Sequence, residues 1–167
     1  MSSKPIFVID TNVFVQAYKN YYAFDIVPSF WRVIKQHAES GYLISIDRIK
    51  REINDYAEED ELKIWVNNEF ANWFHSTDNE SVFTAYRQII DWSINNRQFT
   101  DAAKAEFASV ADSWLIAFAK SFEYVLVTQE VLEPNIKRKI PIPNVCQEFG
   151  VQYINTFGMM RKLSVNL

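Results

Sequence analysis

A chain of 167 residues that is 49% hydrophobic and 16% aromatic can bury a core of its own, which excludes a disordered or fibrous chain. Its 17 Lys plus Arg against 21 Asp plus Glu give a net charge of −4, so no blanket basic coat for nucleic acid exists, although local basic patches remain open. Three glycines (Gly41, Gly150, Gly158) are too few and too scattered for a GxGxxG turn or a P-loop, and one cysteine, Cys146, with two isolated histidines, His37 and His75, excludes an internal disulfide and a His/Cys zinc cluster.

The apolar run at the start is four residues long and stops at Asp10, too short for the core of a signal peptide. The longest uncharged stretch, Phe149 to Met160, has 12 residues and includes Gln152, Asn155 and Thr156, which is too short and polar to span a bilayer. A soluble cytoplasmic protein with no membrane contact is expected.

In chain order, Ile6 to Ile9 reads as the first strand, continuously apolar as befits a parallel strand covered on both faces. Phe30, Val33, Ile34, His37 and Ala38 then follow helical spacing, and Gly41 stands where a helix ends. A second strand spans Tyr42 to Ile46, and a helix starts near Asp47. From Glu58 to about Gln98 no strand is evident. Leu62, Val66, Phe70 and Trp73 form one apolar stripe and Phe83, Tyr86, Ile90 and Ser93/Ile94 another, which predicts a helical hairpin turning near 76–79. Ser109 to Phe122 is apolar nearly all round, the pattern of a buried helix. Strands at Tyr124 to Thr128 and Val151 to Ile154 follow, separated by a helical segment from Val145 to Phe149 that Gly150 ends. Helices regularly separating such strands predict an α/β fold: a mainly parallel sheet of four to five strands flanked by helices, one domain over 1–167, with a helical insertion at about 58–98.

Four acids interrupt this apolar plan. Asp10 closes the first strand, at the edge where open parallel sheets bind ligands; a helix N-cap is the alternative. Glu52 lies within about 60° of Ile49 on a helical wheel and shares the stripe of Ile53 and Tyr56, whereas Asp55 and Glu58 fall away. It either snorkels, pairs with Arg48, or is carried toward a core that demands a partner. Asp112 shares one face with Leu115, Ile116 and Ala119, with a capping box to Ser109 as the alternative. Glu130 follows the strand ending at Thr128. Acids converging without Lys or Arg partners would repel and raise one another's pKa, a conflict that a divalent cation resolves. Hard oxygen ligands with neither His nor Cys select Mg2+ or Mn2+.

The stretch Val8-Ile9-Asp10-Thr11-Asn12-Val13-Phe14 resembles the opening of PIN (PilT N-terminal) domains. Arg51-Glu52-Ile53 resembles the second acid of that family, Asp112 with Ile116 four positions on resembles the third, and Val127-Thr128-Gln129-Glu130 resembles its closing Thr-x-Asp element, with Glu in place of Asp. Glu133 stands where the family often has an aromatic residue. The resemblance runs from Ile6 to Ile154 and implies a ribonuclease dependent on Mg2+ or Mn2+, with Asp10, Glu52, Asp112 and Glu130 as catalytic and metal-holding residues. It further implies RNA as substrate, an antitoxin partner as in the toxin members, and pairing of two copies. Asn12 and Thr128 at the sheet edge, and Arg48 and Lys137 in the two basic clusters (48–51 and 137–139), are the expected substrate contacts. Trp65, Trp73 and Trp92 could stack bases, although helical spacing favours the core. Two other readings use the same residues: a non-catalytic PIN-like module binding RNA or protein, and a phosphotransferase with Asp10 as nucleophile. The latter lacks the second Asp two positions on, where Asn12 stands.

Overall fold

A computed structural model describes residues 4–55 and 59–167. Five parallel strands form one sheet: β1 (Phe7–Ile9), β2 (Leu43–Ile46), β3 (Phe74–His75), β4 (Val125–Val127) and β5 (Tyr153–Ile154), in the order β3-β2-β1-β4-β5. The helices are α1 (Thr11–Gln16), continued by a π-helical turn at Ala17–Tyr21, α2 (Pro28–Glu39), α3 (Asp47–Asn54), α4 (Glu61–Glu69), α5 (Glu80–Asn95), α6 (Asp101–Ser109), α7 (Asp112–Phe122), α8 (Ile142–Phe149) and α9 (Thr156–Lys162). Among the described residues no helix is long and apolar enough to cross a membrane.

The expected α/β architecture is therefore present, and the apolar strands are buried as their composition requires: β1 and β2 have no exposed residue. Gly150 ends α8 with φ +69° and Gly41 follows α2 with φ +85°, the left-handed backbone that glycine adopts without a Cβ clash. The segment read as a helical hairpin differs. Its two helices exist, but a 3-10 turn at Ala71–Trp73 and strand β3 lie between them, and β3 pairs with β2 through Ser45↔Phe74 and Ile46↔His75. Two residues are too few to show alternation, so this edge strand has no sequence signature. The wheel position of Tyr56 and the hairpin's expected start at Glu58 lie outside the described residues.

α5 packs along α7, and its buried stripe is Val82, Ala85, Ile89 and Ser93 rather than the bulkier residues beside them. Phe83 and Tyr86 flank the contact and close on Trp114 of α7. Of the tryptophans, Trp65 meets Phe14, Phe24, Trp31 and Phe70, Trp73 meets Phe70, and Trp92 meets Phe99 and Phe149, so all three pack against the core.

Phe70 is the centre of the aromatic cluster, fully buried and in ring contact with Phe14, Trp65, Trp73 and Phe74. Phe70→Ala should cost about 3–5 kcal/mol, from lost transfer energy plus the cavity left behind. Urea unfolding checks it; a loss under about 1 kcal/mol would mean that the cluster adds little to stability.

Candidate active site

The strand order reverses at β1, which has β2 on one side and β4 on the other, and the carboxyl ends of strands at such a switch point are where open parallel sheets bind ligands. The register pairs Ile9 with Val127, so the next residues, Asp10 and Thr128, emerge side by side. The Asp10 amide donates to the Val127 carbonyl at 3.0 Å, and the Thr128 hydroxyl donates to Asp10 Oδ2 at 3.0 Å. The same hydroxyl accepts from the Glu130 amide at 3.1 Å. Thr128 is buried and its hydroxyl is committed to these two acids, so its observed place is that of a positioning residue. Asp10 stands at the N-cap of α1, yet its side chain makes no capping hydrogen bond, which removes the simple structural reading.

Glu52 is held from two other directions. Thr11 Oγ1 donates to its Oε2 at 2.8 Å and the Ala111 amide donates to its Oε1 at 2.7 Å. The carboxylate thus ties α3 to the starts of α1 and α7. It does not pair with Arg48, whose guanidinium lies on the Trp114 ring at 3.7 Å. Asp112 opens α7, and Ser109 donates to the Glu106 carbonyl instead of forming a capping box with it.

The neighbouring carboxylates act on Asp10 and Asp112. Asp10 is 1% exposed, and its carboxyl is pushed up to about 7, first by burial and then by the charges of Glu130 and Glu52, against relief from the Thr128 hydroxyl and the Thr11 amide. Asp112 is raised well above the ordinary carboxylate range by burial, then by Asp10, Glu130 and Glu52, with Lys139 opposing. The expectation of acids with no cationic neighbour needs correction at Glu130, whose Oε1 lies 3.1 Å from Lys139 Nζ. Apart from this ion pair, both Glu130 oxygens are buried without a hydrogen-bond partner. Burial opposes the charge of Lys139, but Glu130, Asp112 and Glu106 outweigh it and raise the ammonium pKa. Beneath, the buried Cys146 thiol is pushed up to about 12 by burial and by Glu130.

Of the other expected contacts, Asn12 and Lys137 are exposed, and Arg48 is half-buried. Lys139, not Lys137, is the member of its cluster that meets an acid. The loop from 128 to 141 has no regular structure to give its lysines a periodicity, so spacing could not choose between them. Thr11 was likewise unmarked, because its partner Glu52 lies 41 residues away in sequence.

The donor set fits a hard divalent cation in chemistry: crowded oxygen donors, ionisation opposed by like charge, and buried Glu130 oxygens lacking hydrogen bonds. As the side chains stand, no group of three or more His, Cys, Asp or Glu among the described residues is arranged to hold one ion. The acids share a field without closing into a ready-made cage.

Residues 7–167 match the model of a family described as a domain of unknown function, DUF4411. The chain belongs to the DUF4411 family. No curated protein matches it in sequence. Among solved structures, FitAcB from Neisseria gonorrhoeae matches with a TM-score of 0.54 and 13% identity, over 91% of this chain and 99% of that one. At that identity the match speaks for the fold, and the fold of this DUF4411 chain is PIN-like.

A carboxyl whose pKa is higher in the folded chain than in the unfolded one binds its proton more tightly when folded. For Asp10, stability is therefore greatest below the unfolded value near 4 and declines as pH rises toward about 7. In EDTA at pH 8, Asp10→Asn should be more stable than the parent by on the order of a few kcal/mol, with the difference fading by about pH 4. Thermal unfolding across that range checks the sign; a lower midpoint for the variant at pH 8 would contradict it.

Proposed function

We propose that this DUF4411 chain is a ribonuclease that depends on Mg2+ or Mn2+ and hydrolyses RNA phosphodiester bonds at the carboxyl ends of β1 and β4. The observation that carries the reading is the pair Asp10 and Asp112, acids on separate elements whose ionisation is opposed by burial and by neighbouring carboxylates: Glu130 and Glu52 act on Asp10, and Asp10, Glu130 and Glu52 act on Asp112. Such an arrangement is costly in a merely structural protein and is relieved by a bound cation. The PIN-like fold and the motifs at Asp10, Glu52, Asp112 and Glu130 support the same reading.

Asp10, Asp112 and Glu130 would hold the metal, which when bound supplies Lewis-acid charge and a water of lowered pKa. The Thr128 hydroxyl fixes Asp10 Oδ2 and, through the Glu130 amide, the backbone that carries Glu130. Glu52 adds its charge and braces α1 against α7 through Thr11 and Ala111, which sets the distance between the elements carrying Asp10 and Asp112. Lys139 holds Glu130 at the site and offers a cation to the phosphate. Exposed Asn12, in the first turn of α1, stands next to Thr11 at the rim as a contact to substrate. Exposed Lys137 offers a second cation to the RNA backbone. The resemblance to the toxin members extends the proposal to a restraining antitoxin partner and a cytoplasmic setting.

One observation favours a second reading, a non-catalytic module binding RNA or protein: the acids do not form a three-ligand cage, and Lys139 already neutralises part of Glu130. Calorimetric titration with Mn2+ separates the two, since a module without catalysis should take up the ion weakly or not at all.

With Mg2+ or Mn2+ present, Asp10→Asn and Asp112→Asn should each abolish RNA cleavage while circular dichroism stays unchanged. Glu130→Gln should show a milder defect, and EDTA should silence the parent. Full metal-dependent cleavage by Asp10→Asn would overturn the assignment.

A further inference from the structure

Beside Glu52 lies a second cleft of about 190 Å3, lined by Arg48, Arg51, Glu52, Asp55, Ala111 and Trp114 among others. It shares Glu52 with the acid site, and its wall at Ala111 directly precedes Asp112. Three separate elements fix one of its cations. Arg48 sits in the first turn of α3, where its amide donates to Asp47 Oδ1 at 2.8 Å. Its Nε donates to Thr77 Oγ1 at 3.1 Å, and buried Thr77 is itself anchored by donating to both carboxylate oxygens of Asp47, at 2.9 and 3.1 Å. The guanidinium lies on Trp114, whose ring stacks on Tyr86 at 3.7 Å and 11°. Arg48, Trp114 and Tyr86 thus form a column that orders the guanidinium in advance.

That ordering leaves binding capacity. Of five N–H donors only Nε has a partner among the described residues, and the terminal nitrogens carry no ion pair there. Arg51, one turn further along α3, is exposed; its carbonyl accepts from the Asp55 amide, but its side chain has no hydrogen bond or ion pair among the described residues. The cleft's other acid, Glu52, is already met by Thr11 and Ala111, so it does not neutralise the arginines. A planar cation held in place beside an exposed one suits a phosphate diester, which accepts two N–H bonds from a guanidinium.

We propose that the Arg48–Arg51 cleft is a phosphate subsite for single-stranded RNA, holding a backbone phosphate next to the one presented to the acids. The inference rests on the ribonuclease reading for its choice of RNA, and it assigns the register in which the strand lies: across the start of α3, from the Trp114 column toward Asp10.

Binding of fluorescein-labelled dodecauridylate to the full chain in EDTA, read by anisotropy over a salt series, tests this without turnover. Arg51→Gln, which removes no side-chain hydrogen bond or ion pair among the described residues, should weaken binding about fivefold and flatten the slope of log K against log salt by about 0.7, the value for one phosphate contact on a single strand. Arg48→Met should do the same, and Arg48→Lys, which keeps the charge but loses the planar fork, should recover only part of the affinity. Lys162→Gln, an equal charge change at the end of α9, should stay within about twofold of the parent. Parental affinity and slope in Arg51→Gln overturn the subsite, as does a parent that fails to bind the RNA at low salt. The two readings fail separately: an inert chain whose RNA binding still depends on Arg51 keeps the subsite and loses the nuclease, and a metal-dependent nuclease indifferent to Arg51 does the reverse.

Discussion

Gathering like charge at the edge of a buried sheet is the constraint around which this molecule is arranged. The β1–β4 register brings Asp10 and Thr128 out together, and a hydroxyl is what that junction can tolerate: it donates to one acid while accepting from the amide of another. A second carboxylate at 128 would add charge with no proton to share, and an apolar residue would leave Asp10 Oδ2 buried without a donor. The acids are thereby held at a cost to folding that burial and mutual repulsion both raise.

The remaining polar contacts limit that cost without cancelling it. Glu52 is the acid with donors on both oxygens, and it works as a brace between helix starts. Glu130 is the opposite case, buried to 10% exposure with a lysine beside it and hydrogen bonds to neither oxygen. Lys139 is about half exposed, so its stem can move while its charge continues to act on Glu130 and Asp112. One acid is satisfied on both oxygens, the other under-satisfied. That contrast is what a site needs if it is to accept a cation without first breaking its own scaffold.

Much of this was legible in the sequence because two simple signals held. Continuous apolar runs marked β1 and β4, and acids on otherwise apolar patterns marked Asp10, Glu52 and Asp112. What escaped depends on long-range pairing. Thr11 and Glu52 are 41 residues apart, and Thr128, expected only as a substrate contact, meets Asp10 from 118 residues away. Lys139 was indistinguishable from Lys137 within one basic run on an irregular loop. The stripe of α5 was read through Phe83, Tyr86 and Ile90, whereas the buried face runs through Val82, Ala85 and Ile89, one position earlier, and shares only Ser93 with it.

The least legible element also bears most on the acid site's surroundings. Strand β3 is two residues long and sits at the sheet edge, so no periodicity announces it. Pairing with β2 nonetheless carries the chain to Thr77, and only from there can Thr77 reach Asp47 and Arg48 at the start of α3. A true hairpin would turn in solvent and leave Arg48 free to swing toward Glu52, and a direct ion pair would quench both charges. Because β3 docks instead, Arg48 is drawn onto Trp114 and Glu52 keeps its field for Asp10 and Asp112. The insertion thus separates one positive from one negative group that the sequence sets only four residues apart.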